Sequence, residues 1–317
     1  MAAVALTVLP APPSDAAPCV PSLACVALLG TEAATGAAAG AYHSCALLQT
    51  GTVRCWGFNQ YGQAEGYAGG DAVAVSTGAL HSCALRAGGN VTCWGDQSYS
   101  SATAGYTGGN AVSVDSAGFN TCALLENGNV QCWGYDQKGV NTLYGGGDAV
   151  PAVAAAAGYQ HACALLENGN VHCWGDNDYG QSAEYTGGDA VAVDAGGLHT
   201  CAVLENGNVH CWGWADLGQT AAYAGGNAVA VAAGEIHNCA LLSNGNVVCW
   251  GYDTAGETAA YSGGDAVGVS AGNRHNCAEL ASGNVHCWGL NDFGESLPYI
   301  VVPTMAGDPR VNRGVTE

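Results

Sequence analysis

The sequence predicts an all-β protein built from seven copies of one repeat. Fourteen of its 16 cysteines form seven pairs of constant separation, and the first cysteines of successive pairs lie 38, 39, 41, 38, 38 and 38 residues apart. Every unit contains several glycines and no apolar run with a period of about 3.6 residues, so helices are a poor assignment. A fixed period of this length is typical of propellers, solenoids and repeat arrays.

Each unit predicts three short strands. Residues 188–219 read GDAVAVDAGGLHTCAVLENGNVHCWGWADLGQ. We predict strands over residues 189–193, 199–204 and 208–213, because apolar and β-branched residues there are bounded by turns that contain glycine.

The last two strands of each unit predict a hairpin whose register can be counted from its loop. In the first unit, a loop over residues 49–51 places Gly51 where a type I turn with a G1 bulge needs a left-handed residue. Counting outward puts Leu47 opposite Val53 and Cys45 opposite Cys55, in a non-hydrogen-bonded pair where side chains approach closely enough for a disulfide. The constant spacing extends this prediction to seven bridges: Cys45–Cys55, Cys83–Cys93, Cys122–Cys132, Cys163–Cys173, Cys201–Cys211, Cys239–Cys249 and Cys277–Cys287.

The remaining cysteines, Cys19 and Cys25, are predicted to close a small loop before the first repeat. An even number of cysteines without a C-x-x-C motif favours disulfides formed in an oxidising, extracytoplasmic compartment. The alternative is a zinc ion held by His43, Cys45 and Cys55 in each unit. It lacks a usual ligand spacing and would need seven metals, so we predict neither a metal nor a cofactor.

The charge balance limits the partners. The chain has 26 acidic and 6 basic residues, for a net charge of -20. Nucleic acids and anionic membranes bind basic surfaces, so the charge argues against a nucleic acid as partner and disfavours an anionic membrane. Residues 1–18 lack the basic segment of a signal peptide and the roughly 20 apolar residues of a membrane span, so membrane insertion is not predicted.

Polar residues recur at fixed repeat positions. We expect the repeated histidine to be hydrogen-bonded within its own blade, and the aspartate of the Tyr-x-Gly-Gly-Asp loops (67–71, 185–189 and 261–265) to cap the next strand. No unit departs from the repeat in a way that assembles a nucleophile, a base and an orienting group, so we predict no enzymatic activity. The histidines are His43, His81, His161, His199, His237 and His275.

Two segments carry the resemblance to a known family: AGAYHSCALLQTGTVRCWGFNQYGQ (39–63) and AGYQHACALLENGNVHCWGDNDYGQ (157–181). Both resemble the repeat of the regulator of chromosome condensation family, and seven copies extend over residues 33–297. The resemblance implies a seven-bladed β-propeller that acts as a binding scaffold, because members of the family include an exchange factor, a photoreceptor and an enzyme inhibitor. In the third unit Asn120 replaces the repeated histidine.

The ends of the chain depart from the repeat. We predict an N-terminal arm with a small cysteine loop (1–30), the propeller (31–297) and a C-terminal arm (298–317). Either arm could pair with its own ring or with a neighbouring copy, and docking on a neighbour would generate a filament. The candidate interface residues are Val4, Leu6 and Val8, then Ile300, Val301 and Val302, and Trp214, the one tryptophan outside the C-W-G motif.

The sequence therefore predicts a secreted, non-enzymatic structural or adhesive scaffold that self-assembles. Its expected partners are other copies of itself or an extracellular protein. The alternative is a soluble secreted binding protein, an enzyme inhibitor or a multivalent lectin, that uses one face of the ring.

Overall fold

The computed structural model describes residues 27–97, 103–146 and 150–302. These residues form 23 strands, and no α-helix occurs within the described ranges. Each of seven sheets has an inner, a middle and an outer strand that run antiparallel in the order of the sequence. The sheets are numbered here as blades one to seven in chain order.

The strands repeat at equivalent positions. The inner strands are β2 Ala34–Ala39, β5 Ala72–Thr77, β8 Ala111–Ala117, β11 Ala152–Ala157, β14 Ala190–Ala195, β17 Ala228–Ala233 and β20 Ala266–Ala271. The middle strands are β3 His43–Leu48, β6 His81–Arg86, β9 Asn120–Leu125, β12 His161–Leu166, β15 His199–Leu204, β18 His237–Leu242 and β21 His275–Leu280. The outer strands are β4 Val53–Gly57, β7 Val91–Gly95, β10 Val130–Gly134, β13 Val171–Gly175, β16 Val209–Gly213, β19 Val247–Gly251 and β22 Val285–Gly289.

The inner strands form a closed ring. Each contacts the inner strands of its two neighbours, and the last, β20, contacts β2. At the end of six of the inner strands the backbone also bonds to the next blade; at the closure, the Asn273 amide donates to the Gly40 carbonyl at 3.3 Å. The predicted seven-bladed β-propeller is confirmed.

The apolar core lies between the blades. In one cluster Cys45, Leu47 and Val53 of the first blade pack against Ala72 and Ala84 of the second. Both sides of a blade bury apolar residues because each blade is covered by two others. At the outer end of this seam the ring of Tyr67 stacks on Trp94, with centroids 6.3 Å apart.

The predicted hairpin register is confirmed. Cys45 lies opposite Cys55 and Leu47 opposite Val53, and Gly51 adopts a positive φ of 73°. All seven predicted bridges form, with Cα–Cα distances of 4.0–4.1 Å. Cys19 and Cys25 lie outside the described residues.

Segments from both ends of the chain lie on the seventh blade. The short strand β23 (Tyr299–Val301) pairs antiparallel with β22, and β1 (Leu28–Gly30) pairs parallel with β23, giving a five-stranded sheet. In the other six blades a single bridge, such as Val53 with Tyr67, stands in the place of β23.

An arginine of the first blade contacts this five-stranded sheet. Arg54 donates to the Leu29 carbonyl at 2.9 Å, and its guanidinium lies 5.7 Å from the centre of the Tyr299 ring. Ile300 and Val301, which we assigned to an arm, are half-buried, whereas Val302 is exposed. Val4, Leu6 and Val8 fall outside the described ranges.

Substitution of Gly272 by alanine is expected to weaken ring closure. A Cβ atom there would lie 2.0 Å from the Gly40 carbonyl oxygen, which is backbone and belongs to the first blade. Overpacking of this kind costs about 3 kcal/mol, measured as a lower free energy of unfolding in guanidinium chloride. Gly88→Ala is the matched control, because nothing lies within 4 Å of a Cβ at Gly88. Equal stability of the two variants would contradict the prediction.

Candidate functional site

The six repeated histidines link neighbouring blades. The buried Nε2 of His43 lies 2.8 Å from Ser82 Oγ in the next blade, and Ser82 Oγ donates its proton to the Gln63 carbonyl. The hydroxyl therefore accepts from Nε2–H. The prediction of a bond within the same blade was wrong, because the strand geometry directs the ring toward the following blade. The equivalent pairs are His81–Thr121, His161–Thr200, His199–Asn238, His237–Asn276 and His275–Ser44.

The seam between blades three and four is the one without the histidine, and its residues support the role of the histidines as links between blades. Asn120 replaces the histidine there, and the position that should receive its proton is Ala162. Val140 also replaces the buried glutamine or glutamate found at its repeat position in most units, and it packs with Ala162 in one apolar cluster. The histidine and its acceptor are thus replaced together, and Asn120 Nδ2 instead donates to the Tyr159 carbonyl of blade four.

Burial keeps these histidines neutral. Desolvation lowers the pKa of His43, His161 and His275 to about 3 and that of His81 and His199 to about 4. A side chain with such a pKa is neither a cation nor a proton shuttle at neutral pH. We therefore assign the histidines to the fold.

The Tyr-x-Gly-Gly-Asp loops are closed by their own side chains. The Tyr67 hydroxyl donates to Asp71, which also forms an ion pair with Arg86 at 2.9 Å. The tyrosines of the loops at 185–189 and 261–265 make the same bond. In the described part of the chain, no group of three or more His, Cys, Asp or Glu residues could hold a metal ion.

An axial cavity of about 210 Å³ runs between the inner strands. Asp115 and Asp194 line it from the same repeat position in blades three and five. Asp115 accepts from the Ala157 amide at 2.7 Å, and Asp194 accepts from the Ala233 amide at 2.7 Å, so each carboxylate holds the next blade. Burial raises the pKa of both carboxyl groups, and the charge of Asp115 raises the pKa of Asp194 further.

One side-chain pair spans the cavity on the upper face, defined here as the face where the inner strands end. The Tyr159 hydroxyl of blade four donates to Glu235 of blade six at 3.0 Å. Gly197 of blade five lies beside Glu235, since an added Cβ would lie 2.6 Å from the Glu235 carbonyl oxygen and 3.1 Å from its Cγ. The pKa of Glu235 is raised by burial, and the pKa of Tyr159 by burial and by the charge of Glu235.

Four aromatic rings form a patch on the upper face, at the junction of blades seven and one. Phe58 lies 5.0 Å from Phe293 and 6.2 Å from Tyr61, and Tyr42 lies 5.9 Å from Phe293, measured between ring centroids. Phe293 is 50% exposed and Tyr61 is 44% exposed. We call these residues the aromatic patch. Sequence reasoning missed it, although two of the three phenylalanines of the chain occur here.

The predicted interface residue Trp214 lies elsewhere on the upper face. It is half-buried, its ring packs 6.4 Å from that of Tyr179, and its indole N–H donates to Asp216 at 3.0 Å. The structure does not bring it together with the aromatic patch.

A closed ring of seven antiparallel blades defines this protein as a β-propeller. The chain belongs to the regulator of chromosome condensation (RCC1) repeat family, whose model matches residues 35–63, 72–100, 111–140, 152–181, 190–219, 228–257 and 266–295. Propellers with this repeat are generally binding or regulatory proteins. No curated protein matches the sequence significantly.

Solved propellers share the fold. The CRINKLY WD40 ectodomain of the Arabidopsis thaliana receptor kinase ACR4 is 24% identical and covers 85% of this chain and 100% of its own, with a TM-score of 0.68. The ectodomain of the Physcomitrella patens receptor kinase CR4 is 23% identical, covers 81% of this chain and 74% of its own, and has a TM-score of 0.67. Prp20p from Saccharomyces cerevisiae is 19% identical, covers 69% and 72%, and has a TM-score of 0.56.

No helix within the described ranges is long and apolar enough to cross a membrane.

Proposed function

We propose that this protein is an extracellular, non-enzymatic scaffold that binds a protein partner through the aromatic patch. The observation that carries the proposal is the exposure of Tyr61 and Phe293 on a cluster of four rings. Aromatic side chains such as tyrosine are enriched among the residues that dominate binding energy at interfaces. Seven disulfides support an oxidising compartment, and the similarity to two receptor ectodomains agrees with that location.

The proposal is tested by cross-linking the purified, biotin-labelled protein in the extracellular fraction of its source. We expect the wild-type protein to enrich one partner that is lost with Tyr61→Ser/Phe293→Ser. Tyr179→Ser is the matched control, because Tyr179 occupies the repeat position of Tyr61 in blade four and is also exposed. Recovery of the same proteins by the double variant would overturn the proposal, as would enrichment no greater than that of the heat-denatured protein.

A second candidate function is self-assembly through the ends of the chain. It is favoured by the position of β1 as the outermost strand of the five-stranded blade, where Leu29 is 60% exposed. Such an edge can receive a strand from another copy. Deletion of residues 1–18 should abolish assembly in sedimentation experiments and leave a folded monomeric ring. Polymers that persist after the deletion would contradict this function.

A further inference from the structure

The lower face, where the inner strands begin, carries a ring of exposed valines. Each is the second residue of an inner strand, so together they surround the lower mouth of the axial cavity. Their exposure of 49–55% is high for an apolar side chain repeated once per blade. The valines are Val73, Val112, Val153, Val191, Val229 and Val267, and Thr35 takes this position in blade one.

A second cavity, of about 220 Å³, opens inside this ring between blades seven, one and two. Thr35, Leu47 and Val73 contribute to its wall, and so do Gly268 and Glu279. Glu279 lies directly opposite Gly268 in the strand register. A Cβ added to Gly268 would lie 3.3 Å from Glu279 Oε2, so the glycine preserves the space beside the carboxylate.

Glu279 is an exception to the repeat. The other six units place an apolar residue there: Leu47, Leu85, Leu124, Leu165, Val203 and Leu241. Gly268 also differs from most units, five of which have alanine or serine at its position in place of the glycine shared with Gly36. The carboxylate and the space beside it therefore occur together in blade seven, where the repeat would otherwise place leucine against alanine.

Glu279 has no cationic partner among the described residues. The four basic residues in those ranges are engaged elsewhere: Arg54 with the Leu29 carbonyl, Arg86 with Asp71, Lys138 with Asp176 and Asp178, and Arg274 with Glu257. Burial raises the pKa of Glu279. A half-buried carboxylate without a counter-charge is stabilised by a cation that enters the cavity.

The charge of the lower face as a whole favours the same kind of partner. The hairpin turns of blades three, four and five carry the exposed residues Glu126, Glu167 and Glu205 on this face, away from the cavity, and the chain has a net charge of -20. A second copy docked through this face would bring like charges together. A partner with basic and apolar groups would complement both the negative charge of this face and the valine ring.

We propose that the lower mouth binds a lysine or arginine side chain of a protein partner, with its charged group paired to Glu279 and its aliphatic stem against Leu47 and Val73. Long basic side chains suit such a site, because the stem packs on apolar surface while the head pairs with the carboxylate. The inference rests on the proposed binding function but concerns the opposite face of the ring from the aromatic patch.

The test uses acetyl-Leu-Lys-Leu-amide as the probe and valine methyl NMR as the readout, at pH 7. The peptide should shift the methyl signals of Val73, Val75 and Val269, which line this cavity. Its norleucine counterpart should not. Glu279→Leu, which restores the residue found in most units, should weaken binding about tenfold or more. Glu205→Gln, at an exposed hairpin turn of blade five, should weaken it less than twofold.

Three results would overturn the inference: equal shifts with the norleucine peptide, unchanged affinity of Glu279→Leu, or shifts that are absent up to millimolar peptide. None of them bears on the aromatic patch, whose partner is tested by the Tyr61 and Phe293 substitutions. If those variants lose partner capture but still bind the lysine peptide at the lower mouth, the two sites bind independently of each other.

Discussion

Reduction of the seven disulfides is expected to unfold this propeller at neutral pH. Each bridge joins cysteines 10 residues apart in sequence. By the chain-entropy model, a loop of this size contributes about 2.8 kcal/mol, so seven give an upper bound of roughly 20 kcal/mol. A domain is typically stable by only about 5–15 kcal/mol. The bridges can therefore account for the whole net stability.

The experiment must expose the bridges first. The first cysteine of every pair is fully buried, so the protein should be reduced in guanidinium chloride, alkylated and returned to buffer. We expect the loss of the cooperative transition in tryptophan fluorescence. Cys239→Ala/Cys249→Ala removes one bridge and should retain a cooperative transition, with the free energy of unfolding lowered by about 3 kcal/mol. A reduced protein with a transition close to that of the oxidised protein would contradict the expectation.

Acidification from pH 6.5 to pH 5 is expected to weaken the fold through the buried histidines. Their pKa is lowered from 6.5 in the unfolded chain to about 3 or 4 in the five with stated values. The unfolded chain therefore binds more protons in this window. The stabilisation is complete above pH 6.5 and is lost as the pH falls toward the folded value. At pH 5 the loss amounts to about 2 kcal/mol per histidine.

Buried carboxyl groups act in the opposite direction. Burial raises the pKa of Asp194 and Glu235, so their contribution is fully present below the unfolded carboxyl pKa of about 4 and is lost as the pH rises. The histidine effect must therefore be isolated by a variant. His199→Asn/Asn238→Ala copies the Asn120 and Ala162 pair found at the seam of blades three and four.

The measurement compares guanidinium unfolding of this double variant and the wild-type protein at pH 7, 6 and 5. Between pH 7 and pH 5 the variant should lose about 2 kcal/mol less than the wild-type protein, because one buried histidine is absent. Parallel loss of stability in both proteins would show that His199 is protonated equally in the folded and unfolded states. That result would contradict the assignment of a neutral histidine linking the blades.

Much of the fold could be predicted from local spacing. The register of Cys45 with Cys55 follows from the loop at Gly51, since every hydrogen bond involved lies within 11 residues of sequence. The hydrogen-bond partners of the histidines could not be predicted in the same way. His43 meets Ser82, 39 residues away, and that pairing depends on how two blades pack. The replacement of histidine by Asn120 together with alanine at Ala162 was a usable signal in the sequence.

The candidate sites depend on closure of the ring. Tyr42 and Phe293 meet in the aromatic patch, and Gly36 and Glu279 line one cavity, although each pair is separated by most of the chain. The repeat, the hairpins and the bridges follow from the sequence alone, because they depend on hydrogen bonds and distances between near neighbours. Which exceptions to the repeat become surfaces depends on the packing of blade seven against blade one, because that packing brings both ends of the chain together.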